Sequence, residues 1–321
     1  MAVYTSIDNP ELYFQSKLYA GDGNSTQAIT LDGDEDMQPN LVWLKNRTDQ
    51  VWHVWTDSVQ GAGAANGLST NSTEGAGGGN KASYGFLSAF GSDGFTVSEG
   101  SSNASMSNQS SKNYVAWCWK ESADAGFDIV TYTGNGNTSR TISHSLSAVP
   151  HVMTIKERAS GTSGWITYHH KNTSAPETDY LMLNTNSATD DYADYWDDTA
   201  PTSSVFTVDN AADINGNTDT YVAYLWAEKQ GFSKFGSYTG NGDADGAFVY
   251  LGFKPAWVMT KRTDSTGNWS LFDHRRTGST KGSTIGKANP MELLLHPDLS
   301  NAEANVSDGG YSIDGVSNGF K

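Results

Sequence analysis

The sequence has 321 residues, of which 17% are charged, and a formal net charge of −16 at pH 7. A surface this acidic repels phosphate backbones and anionic headgroups, so we expect no nucleic-acid partner and no membrane insertion. The single cysteine, Cys118, excludes an intrachain disulfide, and no apolar run approaches the roughly 18 residues of a membrane-spanning helix.

Short aromatic and β-branched runs, broken by Gly, Asn, Asp and Pro, extend along the whole chain. Such runs are typical of strands joined by turns, and an aromatic content of 12% argues against a disordered chain. The sequence therefore predicts an all-β protein. Residues 1–15 form a lead segment without the basic and apolar regions of a signal peptide, so we expect synthesis and folding in a host cytoplasm.

A strand that ends in a glycine-rich turn is the first element to recur. Tyr19, Tyr132 and Tyr238 each precede a Gly-Asp-Gly or Gly-Asn-Gly turn, and they lie 113 and 106 residues apart. Asp-Gly and Asn-Gly favour positive φ, so we expect a strand and a tight hairpin at each position.

A proline-led apolar strand recurs at the same spacing. Pro39, Pro150 and Pro255 lie 111 and 105 residues apart, and each following strand ends in basic residues. Proline at the first residue of a strand costs no ladder hydrogen bond. A tryptophan-bearing strand comes next in all three places. Landmarks that keep one register indicate three tandem copies of one unit.

An apolar closing strand completes the first two copies, at residues 114–120 and 221–228. The third copy reaches only residues 318–321, which match the segment before that strand. Either the gene product continues beyond Lys321, which is the interpretation we favour, or a partner chain supplies the strand. The predicted division is a lead segment and three β repeats, the third without its closing strand: 1–15, 16–122, 123–229 and 230–321.

The connections between these strands are short and rich in glycine, which favours antiparallel sheets over sheets with crossover helices. Two sheets packed face to face would bury the alternating apolar positions. We therefore expect tandem antiparallel β-sandwich repeats of the jelly-roll or lectin-like kind. A three-bladed solenoid in which the copies share sheets is the alternative.

Four motifs carry a resemblance to a known kind of repeat. They are the closing strand at 114–120, the Tyr-Thr-Gly-Asn-Gly run at 132–136, and the longer segments 197–206 and 231–242. In these motifs the chain resembles a repeat of virion proteins from marine bacteriophages, which are tail, fibre-like or capsid-associated. The resemblance extends from about Asn9 onward. It implies a virion location, and it brings no catalytic residue.

The histidines are the first residues to test for chemistry. None of the seven has a metal-binding spacing. His169 and His170 are adjacent, so on a strand they point to opposite faces and do not share one ion. No motif predicts a catalytic residue, a metal or a cofactor, and we expect the protein not to be an enzyme.

One acidic loop, residues 190–198, interleaves aromatic rings with carboxylates. Aromatic faces stack on sugar rings, carboxylates bind sugar hydroxyls, and paired carboxylates also serve glycosidases. Asp191, Tyr192, Tyr195 and Trp196 are therefore candidate contacts for a glycan or a host surface. The alternative is that the aromatic side chains pack inward beneath the loop.

Together these features predict a non-enzymatic structural or interaction component of a bacteriophage virion. We expect a tail- or fibre-associated protein whose loops contact the host surface. Its partners would be other virion proteins, copies of itself and, in one variant, a host surface glycan. A capsid decoration protein and a glycan-binding or glycan-cleaving module are the alternatives.

Overall fold

Strands dominate the fold. A computed structural model describes residues 5, 7–159, 161–276, 290–306 and 312–321. Its helices are a 3₁₀ turn at Pro10–Leu12 and three α-helices of four residues each. The all-β prediction is confirmed. None of the described helices has the length or the apolar character that crossing a membrane requires.

The first part of the chain forms two antiparallel sheets. Its elements are β1 (Phe14–Ala20), β2 (Thr26–Thr30), β3 (Leu41–Asn46), β4 (Val54–Asp57), β5 (Leu68–Ser69), α1 (Lys81–Tyr84), β6 (Phe86–Gly91), β7 (Gly94–Ser98) and β8 (Asn113–Trp119). The larger sheet has the order β1-β8-β3-β4-β5, and the smaller sheet has the order β2-β7-β6. We call residues 14–122 unit 1.

Residues 123–229, called unit 2, pair in the same order. The elements are β9 (Phe127–Thr133), β10 (Arg140–Ser143), β11 (Val152–Glu157), β12 (Trp165–His169), β13 (Asp179–Met182), β14 (Asp190–Asp191), α2 (Ala193–Trp196), β15 (Val205–Val208), α3 (Ala212–Asn215) and β16 (Thr220–Trp226). The larger sheet has the order β9-β16-β11-β12-β13-β14, and β10 pairs with β15. In each unit the last strand therefore lies between the first strand and the proline-led strand.

Residues 230–321 are called unit 3, and the residues that the structure describes there form shorter strands. They are β17 (Val249–Tyr250), β18 (Trp257–Thr260), β19 (Ser270–Asp273), β20 (Leu293–Leu294), β21 (Ala304–Asn305), β22 (Gly315–Val316) and β23 (Gly319–Phe320). β18 pairs with β19, β20 pairs with β21, and β23 lies between β17 and β22. The boundaries that separate the three units stay a prediction.

The glycine-rich turns differ from the hairpins that we expected. Gly23, Gly136 and Gly242 have φ of 74°, 66° and 70°, as Asp-Gly and Asn-Gly sequences favour. However, β1 pairs with β8 while β2 pairs with β7, so the chain crosses from one sheet to the other at this turn. The hairpin prediction is wrong because positive φ sets the local turn and not the strand that pairs next. The strand expected at Tyr238 is also not formed.

Each larger sheet buries both of its faces. On β8, Tyr114, Ala116 and Cys118 pack into a core with residues of the smaller sheet of unit 1. Val115 and Trp117 point to the other face and enter a second core, shared by all three units. Alternate side chains of a strand point to opposite faces, so one closing strand serves both cores. Representatives of the shared core are Trp43, Trp55 and Trp117 of unit 1, Trp165 and Tyr224 of unit 2, and Trp269 and Leu271 of unit 3.

Three equivalent main-chain hydrogen bonds connect the units in a ring. Each acceptor is the carbonyl of the eighth residue after the strand's proline. The bonds are Glu303 N to Arg47 O at 2.9 Å, Ala76 N to Arg158 O at 2.7 Å and Thr189 N to Thr263 O at 2.9 Å. They run from unit 3 to unit 1, from unit 1 to unit 2 and from unit 2 to unit 3. The units therefore surround the shared core in an approximately threefold arrangement. In the described ranges no strand ladder joins two units, so the units do not share sheets.

Candidate functional site

The acidic loop of unit 2 folds into β14 and α2, and two of its aromatic residues are buried. Tyr195 is 5% exposed and Trp196 is 1% exposed. The Tyr195 hydroxyl donates to Asp213 Oδ2 at 3.1 Å, and Trp196 Nε1 donates to the carbonyl of Asp179 at 3.0 Å. A buried ring offers no face to a sugar. The structure thus corrects the glycan-contact prediction for Tyr195 and Trp196, which pack inward as the alternative stated.

The other two candidate residues of that loop lie at the surface. Tyr192 is 45% exposed, and its ring lies edge-on to Tyr195 with centroids 4.8 Å apart. Asp191 is exposed and pairs with Asp179 at the edge of the sheet. One exposed ring beside carboxylates offers only a small surface on which a sugar could stack. A glycan contact at Asp191 and Tyr192 stays a prediction.

A cluster that sequence spacing did not reveal joins His151, His170 and Glu228. Ligand-type atoms of these three residues lie within 4.8 Å of one another. The two imidazole rings meet edge to face with centroids 4.4 Å apart. Burial, followed by the neighbouring His170, lowers the pKa of His151. His169 is not part of the cluster; burial lowers its pKa to about 4, which keeps its ring neutral.

Each residue of this cluster already takes part in other hydrogen bonds. His151 Nδ1 accepts the amide of Glu228 at 3.0 Å, and His170 Nε2 lies 3.0 Å from the carbonyl of Phe235. The Glu228 carboxylate accepts the amide of Phe235 at 2.9 Å and the ammonium of Lys234 at 3.2 Å. A divalent cation bound through these atoms would compete with these bonds and would lie beside a lysine. The chemistry of the cluster is therefore that of a polar link between unit 2 and the start of unit 3.

A cleft of about 510 Å³ opens beside the cluster. His151 and Glu228 line it from unit 2, and Lys234, Tyr250 and Leu251 line it from unit 3. Tyr250 is 65% exposed. The cleft is thus a boundary feature between two units, and both polar and apolar side chains line it.

Two buried lysines connect neighbouring units. Lys45 and Lys156 hold the same position in their proline-led strands, and both are 0% exposed. Lys45 Nζ donates to the carbonyl of Ser300 in unit 3 at 3.2 Å. Lys156 Nζ donates to the carbonyl of Thr73 in unit 1 at 3.0 Å. Burial lowers the pKa of Lys45 to about 7 and that of Lys156 to about 8. The basic end of each strand, noted in the sequence, therefore lies at a junction of the ring.

The closing strands add a further side-chain hydrogen bond across each of two junctions. Trp117 is the fifth residue of β8, and its Nε1 donates to Asp273 Oδ2 in unit 3 at 2.9 Å. Tyr224 is the fifth residue of β16, and its hydroxyl donates to Asp57 Oδ2 in unit 1 at 2.7 Å. Asp57 and Asp273 both pair with the first residue of a proline-led strand. The fifth residue of the closing strand therefore forms an equivalent hydrogen bond across two boundaries of the ring.

The junction of units 1 and 3 also contains a charged network. Arg276 is 0% exposed; its Nε donates to Asp273 Oδ2 at 2.5 Å and its Nη1 donates to Glu303 Oε2 at 3.0 Å. Its guanidinium lies 5.4 Å from the centre of the Trp117 ring. Arg47 donates to the same Glu303 carboxylate. Each buried charge has a partner of opposite sign, as burial requires.

These observations describe an all-β protein in which polar contacts connect the residue ranges named units 1, 2 and 3 to one another. Residues 9–321 match the family model DUF7483, a domain of unknown function. The match covers nearly the whole chain, and the protein therefore belongs to this family. No curated protein and no solved structure is significantly similar to it.

Proposed function

We propose that the protein is a non-enzymatic structural and interaction component of a bacteriophage virion, associated with the tail or a fibre. The observation that carries the proposal is the ring itself. Three units enclose one aromatic core, and buried lysine, aspartate and arginine side chains contact the neighbouring unit. Polar groups placed in this way stabilise the arrangement of the three units around the shared core. The virion location rests on the resemblance of the repeated motifs to phage virion proteins.

We further propose that units 1 and 2 are tandem β-sandwiches of the jelly-roll kind. The nested pairing of β1 with β8 and of β2 with β7 supports this. The pairing of β9 with β16 and of β10 with β15 repeats it. Chain ends that pair in one sheet while the next strands pair in the other are typical of a jelly roll. A rigid sandwich of this kind presents long loops that can diverge to fit a host surface.

Analysis of purified particles tests the virion proposal. Proteomics of virions should contain this chain, and particle cryo-microscopy should place its ring in tail density. Its absence from purified virions would overturn the proposal. Copy number separates the two locations, since a few to tens of copies support a tail and hundreds indicate a capsid decoration protein instead.

The glycan-binding alternative now depends on a single exposed ring, that of Tyr192. A glycan array with the intact protein and its Tyr192→Ala variant tests it. Binding that disappears in the variant would favour a host-glycan partner. Replacing Trp196 would be a poor test, because that ring is buried and its loss would affect folding.

A further inference from the structure

Unit 1 carries a groove of about 330 Å³, and all of the residues that line it belong to that unit. Its aromatic walls are Tyr84, which is 36% exposed, and Trp52, which is half-buried. Among the described residues, none that lines the groove is charged and none is a histidine. Concave sites of this size, with apolar walls and a few polar groups, are typical of small-molecule binding.

Trp52 occupies a position at which the other two units have no aromatic residue. The fifth residue after each strand-leading proline pairs with a residue of the following strand, and these pairs are Leu44 with Val54, Ile155 with Ile166, and Thr260 with Ser270. Two positions before that partner, unit 1 has Trp52, unit 2 has Gly164 and unit 3 has Asn268. The repeated architecture therefore does not require tryptophan here, and a large ring that the scaffold does not need points to a role in binding.

The indole of Trp52 is held in one place by a glycine. Its six-membered ring lies against Gly79, where a Cβ atom would approach Cζ3 to 1.8 Å. Gly79 also has a φ of 70°, which glycine adopts without strain. The indole Nε1 forms no hydrogen bond with any residue that the structure describes. The ring is thus positioned by packing, and its N–H donor stays available to a ligand.

The main chain around the groove is fixed by hydrogen bonds. The buried Lys45 Nζ donates to the carbonyl of Val51 at 2.6 Å, on one side of the groove. On the other side the amide of Met106 donates to the carbonyl of Tyr84 at 2.8 Å, and the amide of Tyr84 donates to the carbonyl of Asn80 at 3.0 Å. A groove whose walls are already ordered needs little reorganisation when a ligand binds.

The polar side chains of the groove are, by contrast, uncommitted. Gln50, Asn80 and Ser105 form no side-chain hydrogen bond within the described part of the chain. The two amides and the hydroxyl can each donate and accept. Neutral donors and acceptors beside aromatic rings match a ligand that has many hydroxyls and also apolar C–H faces, as a sugar ring does.

Charge narrows the class of ligand further. The protein has a formal net charge of −16, which repels anionic ligands, and the groove offers no basic side chain to hold an anionic group. It also offers no carboxylate to hold a cationic one. A neutral ligand is therefore the one that the lining suits.

We propose that this groove of unit 1 is a binding site for a neutral saccharide. Tyr84 and Trp52 supply the ring faces on which a sugar stacks, and the side chains of Gln50, Asn80 and Ser105 bind its hydroxyls. The site is separate from the 190–198 loop of unit 2. The inference goes beyond the structural role proposed above and does not depend on the virion location.

A glycan array tests the proposal. It is printed with neutral oligosaccharides and with sulfated and sialylated forms of the same oligosaccharides. The intact chain is biotinylated and presented on streptavidin, so that multivalency makes weak binding measurable. At least one neutral oligosaccharide should bind, and its acidic forms should bind less. No binding to any neutral oligosaccharide, or a preference for the acidic forms, would overturn the proposal.

Variants then locate the site, with affinity for the bound oligosaccharide measured by calorimetry. Tyr84→Ala and Gln50→Ala change exposed side chains and should weaken binding about tenfold and about threefold, respectively. Trp52→Asn introduces the residue that unit 3 has at this position and should abolish binding. Near-ultraviolet circular dichroism establishes that each variant folds.

Tyr192→Ala is the matched control, because it removes an exposed tyrosine ring on the 190–198 loop. It should leave affinity unchanged. If Tyr192→Ala abolished binding while Tyr84→Ala and Gln50→Ala kept it, the sugar would lie on that loop and the proposal for the groove would be wrong.

Discussion

Unit 2 and unit 3 share the turn and proline-led landmarks and differ in how far their described strands are paired. β16 of unit 2 is buried on both faces along most of its length, and it pairs on both edges. β18 of unit 3 has a partner on one edge only, in the described ranges. The three most exposed large apolar side chains of the described residues, Tyr238, Phe248 and Tyr250, all lie in unit 3.

The comparison indicates that the closing strand connects three parts of the molecule. It joins the first strand to the proline-led strand, it fills the core of its own unit, and its alternate face contributes to the shared core. In unit 3 no described strand lies on the second edge of β18, and the segment around Tyr238 forms no strand.

The largest expected effect on stability comes from removing Tyr132, and the same change at the equivalent Tyr238 is the comparison. Tyr132 stacks on Tyr221, and its hydroxyl donates to the carbonyl of Ile214 at 2.6 Å. Tyr132→Ala should lower the free energy of unfolding by about 3 kcal/mol. Tyr238→Ala should lower it by less than about 1 kcal/mol, because that ring is half exposed. Chemical denaturation measures both, and equal losses would contradict the conclusion that Tyr238 contributes less packing than Tyr132.

A smaller loss of stability is expected when the Tyr224 hydroxyl, which donates across the boundary of units 1 and 2, is removed. Tyr224→Phe removes the donor to Asp57, a carboxylate that is 0% exposed. The loss should be about 1–3 kcal/mol, since a buried acceptor is left with fewer partners. Tyr250→Phe, at an exposed position, should change stability by less than about 0.5 kcal/mol. Calorimetry compares the two, and a neutral Tyr224→Phe would mean that the bond does not hold the boundary.

The strands could be predicted from the sequence where a local pattern was sufficient. The apolar run after each proline predicted β3, β11 and β18, and the closing runs predicted β8 and β16. The strand expected at Tyr238 did not form, because a strand needs a partner and the local pattern contains none. The hairpin prediction was wrong for a related reason, since turn residues do not specify the sheet that the chain enters next.

The contacts between units could not be predicted from the sequence. The bonds that close the ring use main-chain atoms of Arg47, Arg158 and Thr263, which have no side-chain signature. The cluster of His151, His170 and Glu228 combines residues that flank three strands, since His151 precedes β11, His170 follows β12 and Glu228 comes after β16. In the 190–198 loop, the aromatic positions identified the segment, but their spacing did not show that a short helix would turn Tyr195 and Trp196 inward.

The pH dependence of stability should differ between a variant at the boundary of units 1 and 2 and a variant at the boundary of units 2 and 3. Burial, followed by the nearby Asp128, raises the pKa of Glu121 from 4.5 to about 7. The folded protein therefore holds this proton more tightly, and the contribution to stability is lost as pH rises from 4.5 through 7. Glu121→Gln keeps an acceptor for the Ile129 amide without the charge. Its melting temperature relative to wild type should rise between pH 4.5 and 8.

Glu228 is the matched control for that measurement, because it holds the equivalent position in unit 2. Its carboxylate pairs with Lys234 and accepts the amide of Phe235. Glu228→Gln should therefore not gain stability over the same pH range. If both variants gained the same melting temperature relative to wild type over this pH range, the raised pKa of Glu121 would not be the cause of the gain.

The smallest effect is expected when a metal is added. Zn²⁺ should leave the melting temperature unchanged, because His151 Nδ1 and the Glu228 carboxylate already accept main-chain amides and Lys234 repels a cation there. Thermal unfolding with Zn²⁺ or with a chelator measures this. His151→Ala and, as the control, His144→Ala separate a site from adventitious binding. A saturable stabilisation by Zn²⁺ that only His151→Ala abolishes would make the boundary of units 2 and 3 a metal site, and its polar link would then be the apo form of that site.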